Sequence, residues 1–131
     1  LLIPDFELST ELARRVLPNM VSRQDAIFNI SRASLLIKAF ERGDRILMRI
    51  ALEDKLHQPY RTGLIEGYDI AQAAAKKLGA LGLCISGAGS TLLCIADRAE
   101  FSAEMEAELK EQLPGWRVLG VLPDMQGVKI L

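Results

Sequence analysis

No apolar run in these 131 residues approaches the roughly 18–20 that a membrane helix needs. The opening residues, LLIPDFELST, also lack the basic start and apolar core of a secretory leader, so a cytoplasmic location is the default reading. An excess of charge is missing too. Sixteen Lys and Arg face 17 Asp and Glu, for a net charge of -1. With a pI of about 5.9, that balance gives no electrostatic footprint for nucleic acid or a membrane surface. Only two cysteines are present, Cys84 and Cys94, and His57 is the single histidine. The cysteines flank a glycine-rich stretch symmetrically enough to face each other across a hairpin. Because nothing suggests export, they are read as two buried free thiols rather than a disulfide. Internal repeats, linkers and low-complexity segments are absent as well.

What is there is an ordinary globular composition, half hydrophobic and a quarter charged, at a length that fills one domain. The chain starts at Leu1-Leu2 without a Met, and its apolar stub before Pro4 reads as the tail of a strand whose partners lie upstream. That predicts a piece of a longer protein. Ser9 or Thr10 caps a short helix that carries Arg14 and Arg15 and ends at Pro18. Ser22 with Asp25 resembles a capping box for the longest helix, with Ile27, Ile30 and Ile37 at helical spacing before Gly43 stops it. Asp44 caps the next, with Ile46, Leu47, Ile50 and Ala51 on one face, a continuation toward His57 and a stop at Pro59. Tyr60–Gly67 reads as a loop, and Tyr68–Leu78 as an amphipathic helix closed by Gly79.

Beyond Gly79 the period changes to short apolar runs, which predict strands at Leu83–Ser86, Thr91–Ala96, Arg117–Leu122 and Val128–Leu131. Asp97 and Glu100 cap a helix carrying Phe101, Met105 and Leu109, and Asp124–Gly127 turns between the last two strands. The fold class is therefore α+β: a sandwich with a four-stranded, mainly antiparallel sheet and helices on one face.

Between the first two predicted strands stands Ser-Gly-Ala-Gly-Ser-Thr, residues 86–91. A Walker-type loop needs a lysine after its last glycine, and Gly89 is followed by Ser-Thr-Leu-Leu. A dinucleotide fingerprint needs a third glycine and a following helix, and here Leu92 and a strand occupy those places. What survives is a hairpin whose small residues admit positive φ or close approach of another group.

The segment GLCISGAGSTLLCIA, Gly82–Ala96, resembles the third conserved motif of the GHMP kinases. PDFELSTELARRVLP (Pro4–Pro18), SRQDAIFNISRASLL (Ser22–Leu36) and LEDKLHQPYR (Leu52–Arg61) narrow the likeness to the C-terminal half of the homoserine kinases, and it covers residues 1–131. That resemblance implies a ferredoxin-like C-terminal domain, with an ATP-binding N-terminal domain outside the chain. It also implies transfer of the γ-phosphoryl group of ATP, with Mg2+, to the side-chain hydroxyl of L-homoserine on the way to threonine.

Two arginines are implied as ligands of the substrate carboxylate. One is Arg14, with Arg15 as its neighbouring alternative, and the other is Arg61. A planar guanidinium suits that task, because it grips a carboxylate through two parallel hydrogen bonds. Gly87, Ala88, Gly89, Ser90 and Thr91 are implied to support the nucleotide loop of the other half. No catalytic or metal-binding residue falls in this chain on that reading, and no ATP is expected on these residues alone. Helix capping accounts for Ser9 and Thr10, while His57 is read as structural and Asp5, Glu53 and Asp54 as surface charges. A homodimer is left open. Two other readings stand beside this one: a GHMP kinase for a different alcohol, and a non-catalytic small-molecule-binding or dimerisation domain.

Overall fold

Three polar caps lay out the helical half of the chain. In the computed structural model, which describes residues 1–127, Ser9 caps α1 (Thr10–Arg15), Ser22 caps α2 (Arg23–Arg42) and Asp44 caps α3 (Arg45–Ala51). Each cap accepts a hydrogen bond from an otherwise free backbone N–H, from Leu12, Asp25 and Leu47 respectively. Gly43 ends α2 in the left-handed region at φ 62°, where a side chain would be strained.

The isoleucines that give α2 its period do not face the core. Ile27, Ile30, Ile37 and Phe40 are all more than half exposed, and Ala39 is the buried residue of the helix. In α3 the expected face is corrected likewise: Met48 and Ala51 are buried, while Ile46 and Ile50 point outward. α2 and α3 pack on each other, and through Ala39, Met48, Leu36, Leu47 and Leu52 they reach Leu81 and Ile95. This contact covers one end of the sheet.

The sheet has the order β2-β3-β1-β4 with every neighbour antiparallel, formed by β1 (Leu2–Ile3), β2 (Gly82–Ile85), β3 (Leu92–Ile95) and β4 (Arg117–Val118). The opening stub is thus an interior strand with partners downstream in this chain, not upstream. Leu2 stands opposite both Leu92 and Val118, and the Leu1 amino group donates to the Leu119 carbonyl. β4 stops at Val118, short of the expected Leu122. Asp124 does form a turn, accepting from the Gln126 N–H. The strand expected at Val128–Leu131 lies outside the described residues.

Strand register sorts the sheet residues by face. Leu83, Ile85, Leu92 and Cys94 share the face covered by α5 (Tyr68–Lys77) and α6 (Phe101–Leu109). There Ala71, Leu92, Met105 and Leu109 are fully or almost fully buried. Gly82, Cys84, Leu93 and Ile95 share the opposite face, toward α2 and α3. Cys84 pairs with Leu93 and Cys94 with Leu83, so the two thiols lie on opposite sides of the sheet and both are free. α6 starts without the expected box: Glu100 at its N-cap makes no side-chain bond, and Asp97 is ion-paired with Arg45 instead.

The segment after α3 departs most from the sequence reading. α3 stops at Ala51 rather than running on to His57, and the segment expected as a loop from Tyr60 is helical as far as Leu64, in α4 (Gln58–Arg61) and a 3-10 turn (Thr62–Leu64). Pro59 opens α4 instead of closing a helix, since a first-turn proline forfeits an N–H that has no partner there anyway.

Asp54 makes this possible. Its carboxylate accepts from the backbone N–H groups of Leu56, His57 and Gln58 at 2.8, 2.9 and 2.6 Å and from the Asn29 amide of α2. Burial by itself would raise this carboxyl, but the bonds from Gln58, Asn29, Leu56 and His57 outweigh it and hold the group below its ordinary value.

Two outcomes follow for stability. Leu92→Ala, which empties a fully buried site, should lower unfolding stability by about 2–5 kcal/mol in urea titration. Asp54→Asn should cost about 1–3 kcal/mol near neutral pH by leaving amides without an anionic acceptor. A carboxyl depressed in the fold stabilises above its unfolded value and loses that contribution as the pH falls through the folded one. Thermal melts of wild type and Asp54→Asn should therefore differ fully above pH 3.8 and converge below it.

Candidate functional site

Arg61 closes α4 beside two segments distant in sequence. Its Nε donates to the Ala13 carbonyl at 2.9 Å and its Nη1 to the Gly87 carbonyl at 3.3 Å. The first acceptor is one of the free carbonyls that end α1, because the Leu17 N–H turns back to Arg14 and leaves Ala13 without a helical partner. Arg61 thus caps α1 and holds the glycine loop in one plane. It brings the position next to Arg14 against Gly87, and Arg14 and Arg15 are both exposed on the same short helix.

The loop is a turn, as its sequence predicts. The Ser86 N–H donates to the Thr91 carbonyl and the Gly89 N–H to the Ser86 carbonyl, with Gly87 at φ 61° and Gly89 at φ 97°. Gly87 is exposed, Ala88, Gly89 and Thr91 are half-buried, and Ser90 is buried. Ser90 Oγ donates to the Phe6 carbonyl at 2.7 Å, tying the loop to the segment that leads into α1. The φ of 97° is what requires glycine at position 89, and a Cβ there would also sit 3.0 Å from the Leu8 Cδ2. The close neighbour that the small residues imply is therefore, for Gly89, a leucine of this chain.

Gln58, one turn before Arg61, accepts the Ile85 N–H at the end of β2. Gln58 and Arg61 hold the strand end and the loop from the same helix, and Asp54 anchors that helix to α2. Asp54 is consequently not the surface charge that its sequence context suggests; its side chain is 14% exposed. Glu53 is exposed and pairs with Arg32, while Asp5 is exposed beside Gly115. Gln58 and Asn29 carry no signal in the sequence that singles them out, although both lie, like Asp54, inside the segments that carry the resemblance.

An open cleft of about 470 Å³ runs between α2, α4 and the loop, lined by Asn29, Arg32, His57, Arg61, Cys84 and Gly87. His57 is exposed at the N-terminus of α4 with Nδ1 3.6 Å from Asp54, a placement that suits its structural reading. Ser9 acts as the cap of α1, and Thr10 begins the helix. Burial raises the Cys84 thiol and pushes Cys94 up to about 11, which disfavours the reactive thiolate at both. Among the described residues no group of three or more His, Cys, Asp or Glu is placed to hold a metal ion, and no helix is long and apolar enough to cross a membrane.

Comparison with known proteins bears on the family and the fold. A family model described as GHMP kinases C terminal matches residues 36–115. A homoserine kinase of Clostridium acetobutylicum is 46% identical over 99% of this chain and 45% of its own length. One of Crocosphaera subtropica is 50% identical over 98% of this chain and 40% of its own. The crystal structure of homoserine kinase from Cytophaga hutchinsonii superposes with a TM-score of 0.84 at 26% identity, covering 90% of this chain and 39% of that one. The chain spans less than half the length of these relatives, and by the match to residues 36–115 it belongs to the GHMP kinase family as a C-terminal domain.

Proposed function

We propose that this chain is the amino-acid-binding half of a homoserine kinase, a cytoplasmic enzyme that moves the γ-phosphoryl group of ATP to the side-chain hydroxyl of L-homoserine. The observation that carries this reading is the Arg61 guanidinium, which packs α1 at Ala13 against the glycine loop at Gly87. That contact supports a site in which Arg14 and Arg61 hold the substrate carboxylate while Gly87–Thr91 back the nucleotide loop of an N-terminal half. Phosphoryl transfer asks a protein for positioning and charge neutralisation and requires no covalent intermediate. A pair of arginines fits the positioning part. The magnesium and the triphosphate belong, on this reading, to groups outside these residues.

The stripe of Ile27, Ile30, Ile37 and Phe40 supports a further covered surface, since four large apolar side chains in a row on one helix are costly to leave in water. The N-terminal half of the same protein is its proposed partner. A second copy of the chain is the other occupant that a sedimentation measurement would reveal.

The test uses the full-length kinase. Arg14→Ala and Arg61→Ala should each lower kcat/KM for L-homoserine by about 10- to 100-fold, as loss of a charge-assisted hydrogen bond requires, with the ATP affinity unchanged in Arg14→Ala. Unaltered kinetics in both variants would remove the assignment. The isolated 131 residues should not phosphorylate homoserine in a coupled ATPase assay. Tight binding of an amino acid by the isolated chain would instead favour a non-catalytic binding module, and a preference for another alcohol in a substrate panel would favour a different GHMP kinase.

A further inference from the structure

We infer that Arg61 is a positioning residue that couples the amino-acid end of the site to the glycine loop, so that a carboxylate held by its guanidinium changes the affinity for nucleotide. The inference rests on the reading of Arg61 as a carboxylate ligand and adds to it a second, mechanical task.

A guanidinium carries five N–H donors in one rigid plane. In Arg61, Nε is committed to the Ala13 carbonyl at 2.9 Å, and one Nη1 hydrogen to the Gly87 carbonyl at 3.3 Å. Three donors remain, on Nη1 and Nη2, and that pair is the edge a carboxylate takes through two parallel bonds. The ligand edge and the loop contact therefore share Nη1. A carboxylate that draws the outer edge toward itself rotates the plane about its shorter bond at Ala13, and the longer bond at Gly87 lengthens or tightens with it.

The loop is built to register such a change. Gly87 sits at φ 61°, inside a turn closed by only two backbone bonds, Ser86 N–H to Thr91 and Gly89 N–H to Ser86. Its flanks are fixed: Gln58 holds Ile85 on one side, and Ser90 is held by Phe6 on the other. Between these two anchors lie residues 86–89, and Arg61 bonds one of them, Gly87. Arg14 has its side chain exposed on α1, one residue beyond the pivot. It shares the proposed carboxylate but is no part of the lever, which makes it the natural control.

Two measurements test this. In the full-length kinase without ligands, Arg61→Gln should speed amide hydrogen exchange at Ser86 and Gly89 by about fivefold or more, the loss of one hydrogen bond, while Arg14→Ala leaves both rates unchanged. Unchanged protection of α5 amides shows that the variant is folded, and Arg61→Lys serves as the milder substitution if it is not. In the full-length kinase, the dissociation constant of MgATP should shift by about fivefold or more on saturating with L-homoserine. Arg61→Lys, assayed at homoserine concentrations that restore occupancy, should reduce that shift to about twofold or less, whereas Arg14→Ala should retain it once homoserine is saturating. Full coupling in Arg61→Lys, or equal loss in Arg14→Ala, would overturn the inference, as would loop exchange that ignores Arg61. If wild-type kinase does not phosphorylate homoserine at all, the proposed function falls, and the exchange rates still decide whether Arg61 governs the loop.

Discussion

The carboxylate of Asp54 gathers four N–H donors within five residues of chain and one neighbouring helix, and the geometry around Arg61 depends on it. Without an acceptor for the N–H groups of Leu56, His57 and Gln58, the single turn of α4 would have little reason to form, because a helix of four residues gains almost nothing from its own ladder. With it, Gln58 and Arg61 emerge three residues apart on one face. One takes the end of β2 and the other takes the loop and the end of α1. Asn29 extends the chain of contacts to α2, where its carbonyl oxygen also accepts the Lys55 N–H. A hydrogen-bonded hub thus places a cation that has no large apolar surface of its own to fix it.

The sheet solves a different problem. β1 is two residues long, yet it lies between β3 and β4 and buries Leu2 against Leu92. Short strands are adequate here because α5 and α6 cover one face with alanines and four large side chains, Tyr68, Phe101, Met105 and Leu109. The alanines allow α5 to approach closely. On the other face Leu52 packs over Gly82, where any Cβ would collide with it, and so the α2–α3 pair closes only that end. The rest of α2 is left standing clear of the sheet with its isoleucines in solvent. This division explains why a helix with a regular apolar period contributes one buried residue to this domain.

The glycine loop draws its shape from both halves of this arrangement. Its local bonds are those of a turn, and positive φ at Gly87 and Gly89 accounts for two glycines. Leu8 and Phe6 account for the smallness of residues 89 and 90, and Arg61 accounts for the direction of the Gly87 carbonyl. The loop therefore joins α1, α4 and the first two long strands. That convergence distinguishes it from a hairpin turn that merely reverses the chain.

Much of this was legible in the residues alone. The caps at Ser9, Ser22 and Asp44, the stop at Gly43, helix α5, the β2–β3 hairpin and the GHMP kinase resemblance all follow from local chemistry and motif, because a cap or a turn is decided within four residues. Placement of β1 inside the sheet was not legible, since Leu2 finds partners 90 and more residues away that no local pattern names. The helical α4 is masked because Tyr60–Gly67, with two glycines and no clear period, reads as a loop, and because the Asn29 amide of α2 is what fixes its local acceptor, Asp54. The outward face of α2 was hidden because periodicity reports that a stripe exists and is silent about what covers it. Sequence by itself determined which residues cap, turn and alternate, and it supplied the arginines and the glycines. Only the tertiary structure decided that Arg61 bonds both Ala13 and Gly87, because bonds spanning 48 and 26 residues form only after packing has brought their helices and strands together.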